Sequence, residues 1–317
     1  MEDYSSIEKL PEVPPAIIEA VNNDKLVVFI GAGVSRIIGC MGWNQLAANL
    51  INICFTTQNK EKTGTCISFK EKESLEKEND HKKVITICHY ILCEKNGFEK
   101  VFFYEFNKSL ESNDEKEKKI NIYKEIFGLR GINITTNADK HYHKHFLDTN
   151  LIFKVNEFST SSIDRTKLYK IHGTQEYRES LVFTVPEYIR RYNDDQFRSF
   201  LTSIFSGEYT VLILGYGMSE FELVDFLIGK VGYKNVAGKK EIRHYTLLPF
   251  FSGEENILSF EQSYYNAMGI EVIGYEKDQK GYNQLYDVLK KWNTDINQTS
   301  TYTHDSYTEI DELVNSL

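Results

Sequence analysis

The chain has 317 residues, 41% of them hydrophobic and 26% charged, and its 37 basic and 46 acidic side chains leave a formal net charge of −9. That length accommodates one large domain or two modest ones with a sizeable core. The acid excess argues against a broad basic surface for nucleic acid or anionic lipid, so direct binding to either is not expected.

Met1 to Leu10 has no basic segment followed by an apolar stretch, so no signal peptide is expected. The longest apolar runs, Leu26–Ile30 and Val211–Leu214, are too short to span a bilayer. Five cysteines, Cys40, Cys54, Cys66, Cys88 and Cys93, form no C-x-x-C pair and read as reduced thiols. Together these features predict a cytoplasmic protein.

The first predicted element is the strand Leu26–Ile30, a β-branched and aromatic run that leads directly into the loop Gly31-Ala-Gly-Val-Ser35. Similar buried runs recur at Gly131–Thr135, Leu168–Ile171, Thr210–Leu214, His244–Leu248 and Ile270–Ile273. Helical patterns lie at Pro186–Phe205, Glu220–Ile228 and Gly281–Trp292. Strands alternating with helices predict an α/β fold, Rossmann-like, with a mostly parallel sheet covered on both faces. Between about residues 44 and 127 no strand is evident, and apolar residues such as Val84, Ile87, Cys88 and Ile91 recur at helical spacing. This predicts a helical insertion between the first two strands, its charge runs Lys70–Lys83 and Glu111–Lys119 forming solvated faces. The expected division is one domain over residues 1–296 and a polar tail over 297–317 that leads to a further domain or docks a partner.

The candidate site gathers at strand ends, where ligands bind in open α/β sheets. Gly31, Ala32, Gly33 and Ser35 fit a phosphate loop and, equally, a tight strand–helix turn. The full G-x-G-x-x-G pattern is absent, since Arg36 stands at its third position, and no acid follows about 20 residues on, which excludes the usual nicotinamide dehydrogenase fingerprint. Thr136, Asn137 and Asp139 lie past the second run, His172-Gly173 ends the third, and Gly215-Tyr216-Gly217 follows the most apolar one. Taken alone, Asn137 and Asp139 could cap a helix and His172 could be a core histidine. The run His141-Tyr-His-Lys-His145 is expected to carry exposed histidines; on a helix only His141 and His145 would share a face. Tyr188–Tyr192, with Arg190 and Arg191, reads as a surface helix or a lid.

In this order the four motifs resemble the sirtuin family, and in particular the sirtuin-like domains of bacterial anti-phage defence proteins, from about Lys25 to Trp292. The matching residues are Gly31–Ser35, Thr136-Asn137-Ala138-Asp139, His172-Gly173 and Gly215-Tyr216-Gly217. Ala138 stands where that branch often has tyrosine, and Ser219-Glu220 where an aspartate is common. Protein-deacylating sirtuins hold zinc through two C-x-x-C pairs; this chain has neither, so no zinc is expected.

The resemblance implies an NAD glycohydrolase that cleaves NAD to nicotinamide and ADP-ribose and thereby depletes NAD in abortive infection. It assigns Asn137 to the ribose and attacking water, Asp139 to the carboxamide and His172 to proton transfer, all three as catalytic residues. Gly31, Ala32, Gly33, Ser35, Thr136, Gly215, Tyr216 and Gly217 would bind NAD. It further implies a homo-oligomer and a fused or separate sensor or effector module with a phage-protein trigger. The rival readings are a non-catalytic NAD or ADP-ribose sensor and an NAD-dependent protein deacylase or ADP-ribosyltransferase.

Overall fold

The structure is a computed structural model that describes residues 10–206, 208–216, 226 and 244–298. Its centre is a seven-stranded sheet with every pairing parallel: β1 (Leu26–Ile30), β2 (Ile132–Thr135), β3 (Leu151–Ile152), β4 (Leu168–Lys170), β5 (Thr210–Leu214), β6 (His244–Phe250) and β7 (Ile270–Glu276), in the order β3-β4-β2-β1-β5-β6-β7. The Rossmann-like α/β architecture expected from the alternation is therefore present.

β1 is apolar along its whole length because both of its faces are covered. Val28 and Ile30 point into a core with helix Pro15–Asn22, helix Ile122–Gly128 and the helix over residues 284–298. Val27 and Phe29 point into the opposite core, against helices Val185–Tyr192 and Asp195–Ser206. Between β1 and β2 the described chain is helical, with helices including Trp43–Thr56, His81–His89 and Glu99–Ser109, and it builds a third core. Leu181 and Phe183, from the loop after β4, pack into that third core and fasten the insertion to the sheet.

Three local readings are corrected. The pattern over 186–205 is two helices, because Asp194 accepts the Phe197 N–H at 2.9 Å and starts the second at Asp195. β3 was not expected, being only two residues long, and neither was helix Glu255–Ala267, whose apolar Ile257, Phe260 and Tyr264 face solvent rather than a core. The expected helix Glu220–Ile228 lies outside the described residues except for Phe226, as do Gly217 and residues 299–317 of the tail. Among the described residues no helix is long and apolar enough to cross a membrane.

Register does the positioning. Ile30 lies beside Thr135 on one side and Leu214 on the other, and Thr135 lies beside Lys170. The carboxyl ends of β1, β2, β4 and β5 therefore stop at one level. The chain also changes direction across the sheet at β1, placing β2 on one side and β5 on the other. That is the crevice in which open α/β sheets bind ligands.

Candidate active site

A cavity of about 760 Å³ opens over these strand ends, within the range of roughly 300–1,000 Å³ usual for small-molecule sites. Its wall includes Ala32, Gly33, Ser35, Thr136, Asn137, Asp139, His172, Gly215 and Tyr216, but not Gly31. Further round, Leu247, Leu248, Tyr275 and Tyr282 supply apolar surface, and Trp43 and Phe106 come from the insertion.

The polar centre is a network around the buried Ser35 hydroxyl. It donates to Asp139 Oδ2 at 2.6 Å, and its two lone pairs take the Asn137 Nδ2 donor at 2.8 Å and the Tyr123 hydroxyl at 2.8 Å. Every hydrogen-bonding capacity of that hydroxyl is used. Asn137 Nδ2 also donates to the Gly31 carbonyl at 3.0 Å, which fixes the amide orientation because a carbonyl can only accept. Asn137 Oδ1 is then left buried with no partner among the described residues. An orphaned buried acceptor on a cavity wall needs a donor from a ligand or water.

Neither Asn137 nor Asp139 caps a helix. The Asn137 N–H is taken by Thr135 Oγ1 at 3.0 Å, and Asp139 Oδ1 accepts the His141 N–H at 3.1 Å in a local turn. Asp139 is thus tied through both carboxylate oxygens, and its hold on Ser35 orients Asn137 in turn.

His172 is buried at the end of β4. Its Nε2 lies 2.9 Å from the Tyr192 hydroxyl, and its ring meets Tyr188 edge-on at 4.9 Å. Burial, reinforced by the Arg191 and Lys82 charges, holds its pKa well below the ordinary imidazole value, so it is neutral at neutral pH. Gly173 follows with φ +78°, where a Cβ would meet the Ser180 carbonyl oxygen at 2.1 Å. Arg191, itself buried, donates to the carbonyls of Ile171 at 3.0 Å and Ser180 at 3.2 Å, bracing the His172-Gly173 turn from both sides. The Tyr188–Tyr192 helix is therefore a fixed wall under His172: both tyrosines are buried, and only residues such as Ile189 and Arg190 face out.

The glycines serve close approach. Gly31 N–H donates to Leu214 O at 2.9 Å and Gly33 N–H to Gly215 O at 2.7 Å, so the two glycine loops touch. A Cβ on Gly33 would lie 2.6 Å from Gly215 O, and one on Gly215, which has φ +59°, would lie 2.6 Å from Val34 N.

Several contributors escaped sequence reasoning. Tyr123 reaches Ser35 from the last helix of the insertion, and Tyr192 reaches His172 from the far side of the sheet. Lys170 is fully buried and donates to the Asp139 carbonyl, joining the β4 end to the Asn137–Asp139 loop. A lysine inside the apolar run Leu168–Ile171 was the signal available for it. The histidine run is corrected: all three imidazoles are half-buried. His141 faces Glu117 at 3.4 Å, His143 faces Glu176 at 3.3 Å, and His145 stacks on Phe127. Among the described residues no three potential metal ligands are grouped.

Burial pushes the Lys170 pKa down to about 8, against the opposing pull of Asp139 and Glu176. His143, held down to about 3 by its own burial, adds no positive charge nearby at neutral pH. Below about pH 8 Lys170 is charged in both folded and unfolded chains, and its burial cost is present in full. Between about 8 and its ordinary 10.5, the unfolded chain alone keeps the proton, so this residue's contribution to stability rises with pH. Lys170→Met removes that rise. Urea unfolding at pH 7.5 and pH 9.5 checks it: the gap between wild type and variant changes with pH in the direction that favours wild type at the higher value.

A search of curated proteins finds no match. The family model described as the SIR2-like domain matches residues 132–273, from β2 into β7 and across Asn137, Asp139, His172 and Gly215. Domains of this type are usually NAD-dependent enzymes. The match supports a sirtuin-like domain over residues 132–273 and suggests a NAD-related function, and the cavity with its strand-end polar centre lies on those matched strands.

Proposed function

We propose that the cavity is the active site of an NAD glycohydrolase. The observation that carries this reading is the buried Asn137 Oδ1, oriented by Gly31 and Ser35 and left without a partner among the described residues. In NAD the nicotinamide leaves as a neutral ring when its C–N bond breaks, so no general acid is needed. The site has to position the ribose and stabilise positive charge at its anomeric carbon. Asn137 Oδ1 accepts from the attacking water or a ribose hydroxyl, and Asp139 holds the amide in place through Ser35. Water oxygen bonds to the anomeric carbon, the glycosidic electron pair goes to the pyridinium nitrogen, and the neutral His172 takes up the released proton. The products are nicotinamide and ADP-ribose.

Water is the acceptor in this reading because no C-x-x-C pair marks the zinc module of protein deacylases. Incubation with NAD and no added protein tests it: nicotinamide and ADP-ribose appear in equal amounts. Turnover only with an acyl-lysine or other protein acceptor would favour the transferase reading, and saturable binding without product the sensor reading. A role in anti-phage defence by NAD depletion, with homo-oligomers in the cytoplasm and a sensor partner or phage-protein trigger, completes the proposal and rests on the resemblance of the motifs.

A further inference from the structure

The loop after β1 has the composition of a phosphate cradle, but three of its backbone donors are turned to the fold rather than to the cavity. Gly31 N–H serves Leu214 O, Gly33 N–H serves Gly215 O at 2.7 Å, and Val34 N–H returns to Gly31 O at 3.2 Å. The helix that follows is six residues long and offers little dipole. A dinucleotide lying across this crevice therefore needs a side chain to answer its diphosphate charge, in a chain whose net charge is already −9.

Among the described residues three lysine or arginine side chains line the cavity: Arg36, Lys116 and Lys280. Lys280 is neutralised by Asp287 at 2.8 Å. Lys116 lies on helix Asp114–Lys119 among Asp114, Glu115 and Glu117. Arg36 and Lys116 are both exposed and form no ion pair among the described residues, but Arg36 alone immediately follows Ser35 in the glycine loop's helix. Its path lies over Gly42, where a Cβ would stand 3.3 Å from Arg36 Nε, so the absent side chain at Gly42 leaves its course open.

We infer that the Arg36 guanidinium holds the diphosphate of the bound dinucleotide, adding to the few backbone donors that the two touching glycine loops leave for it. A planar guanidinium offers paired donors that match phosphate oxygens, which a lysine does not reproduce. The inference rests on the reading of the cavity as a NAD site, and its test separates the two.

ADP-ribose, which carries the diphosphate but no nicotinamide, is titrated by calorimetry into wild type, Arg36→Met and Arg36→Lys. Arg36 is exposed, so the variants keep the wild-type circular dichroism and melting. The expected result is an affinity about 10- to 100-fold weaker for Arg36→Met, with partial recovery in Arg36→Lys. The same loss appears in KM for NAD rather than in kcat. Equal ADP-ribose affinity in wild type and Arg36→Met overturns the inference. Arg36-dependent binding without hydrolysis leaves it standing and removes the glycohydrolase reading; no binding of ADP-ribose or NAD by wild type removes both.

Discussion

Alanine in place of His172 lowers NAD hydrolysis by about 10²- to 10⁴-fold, the usual weight of a positioned proton acceptor. The imidazole sits at the β4 end on the cavity wall, buried and held at Nε2 by Tyr192. Its pKa is kept well below the ordinary value by burial first and then by Arg191 and Lys82. Wild-type turnover therefore persists below pH 6.5, where an ordinary imidazole would be protonated and unable to accept. Stability shows the same depression with a definite sign. As pH falls below about 6.5, the unfolded chain takes up a proton that the folded chain refuses, so wild type loses stability there and His172→Ala loses less. Steady-state rates from pH 5 to 8, with urea melts on the same samples, check both halves; an unchanged rate in the variant removes His172 from the chemistry.

Gly173→Ala produces the largest structural effect of any single methyl added to this site. The residue has φ +78°, a conformation that costs a side-chain-bearing residue about 1–3 kcal/mol. The new Cβ would stand 2.1 Å from the Ser180 carbonyl oxygen, a backbone atom that is also held by Arg191 Nη2 at 3.2 Å. Relieving that clash adds an overpacking cost of about 1–3 kcal/mol. Against a typical net stability of about 5–15 kcal/mol this is a large fraction, and at roughly 1.5 °C per kcal/mol for a chain of this length Tm falls by about 3–9 °C. Gly253→Ala is the matched control, with φ +89° and nothing within 4 Å of the added Cβ. Thermal melts compare the two; similar losses would mean that conformation rather than the Ser180 contact sets the cost.

The readable parts of this molecule were those written in contiguous residues. β1 and β5 announce themselves as unbroken apolar runs because both faces of each are covered, and most of the residues singled out just past β1, β2, β4 and β5 line the cavity. The unreadable parts depend on distant partners. Gly33 looks like a phosphate-binding glycine in its own context, yet Gly215 across the crevice uses its N–H and fills the space a side chain would need. Tyr123 lies in the insertion, and nothing near it in sequence says that its hydroxyl meets Ser35. Tyr188 and Tyr192 are spaced to share a helix face, but which element they face is a tertiary fact. The histidine run was expected to be exposed because its neighbours in sequence are polar, whereas the turn half-buries each imidazole against a different partner.

In the proposed reaction the Asn137 carboxamide, aligned by Ser35 and Gly31, positions water or the ribose for NAD hydrolysis at this cavity. The most direct test is chromatographic measurement of NAD, nicotinamide and ADP-ribose after incubation with the purified chain and with Asn137→Ala over a range of protein concentrations, no acceptor being added. The account predicts nicotinamide and ADP-ribose in equal amounts from wild type and at least a 100-fold slower release from a folded Asn137→Ala. Equal rates in the two proteins, or no nicotinamide from wild type at any concentration, would contradict it.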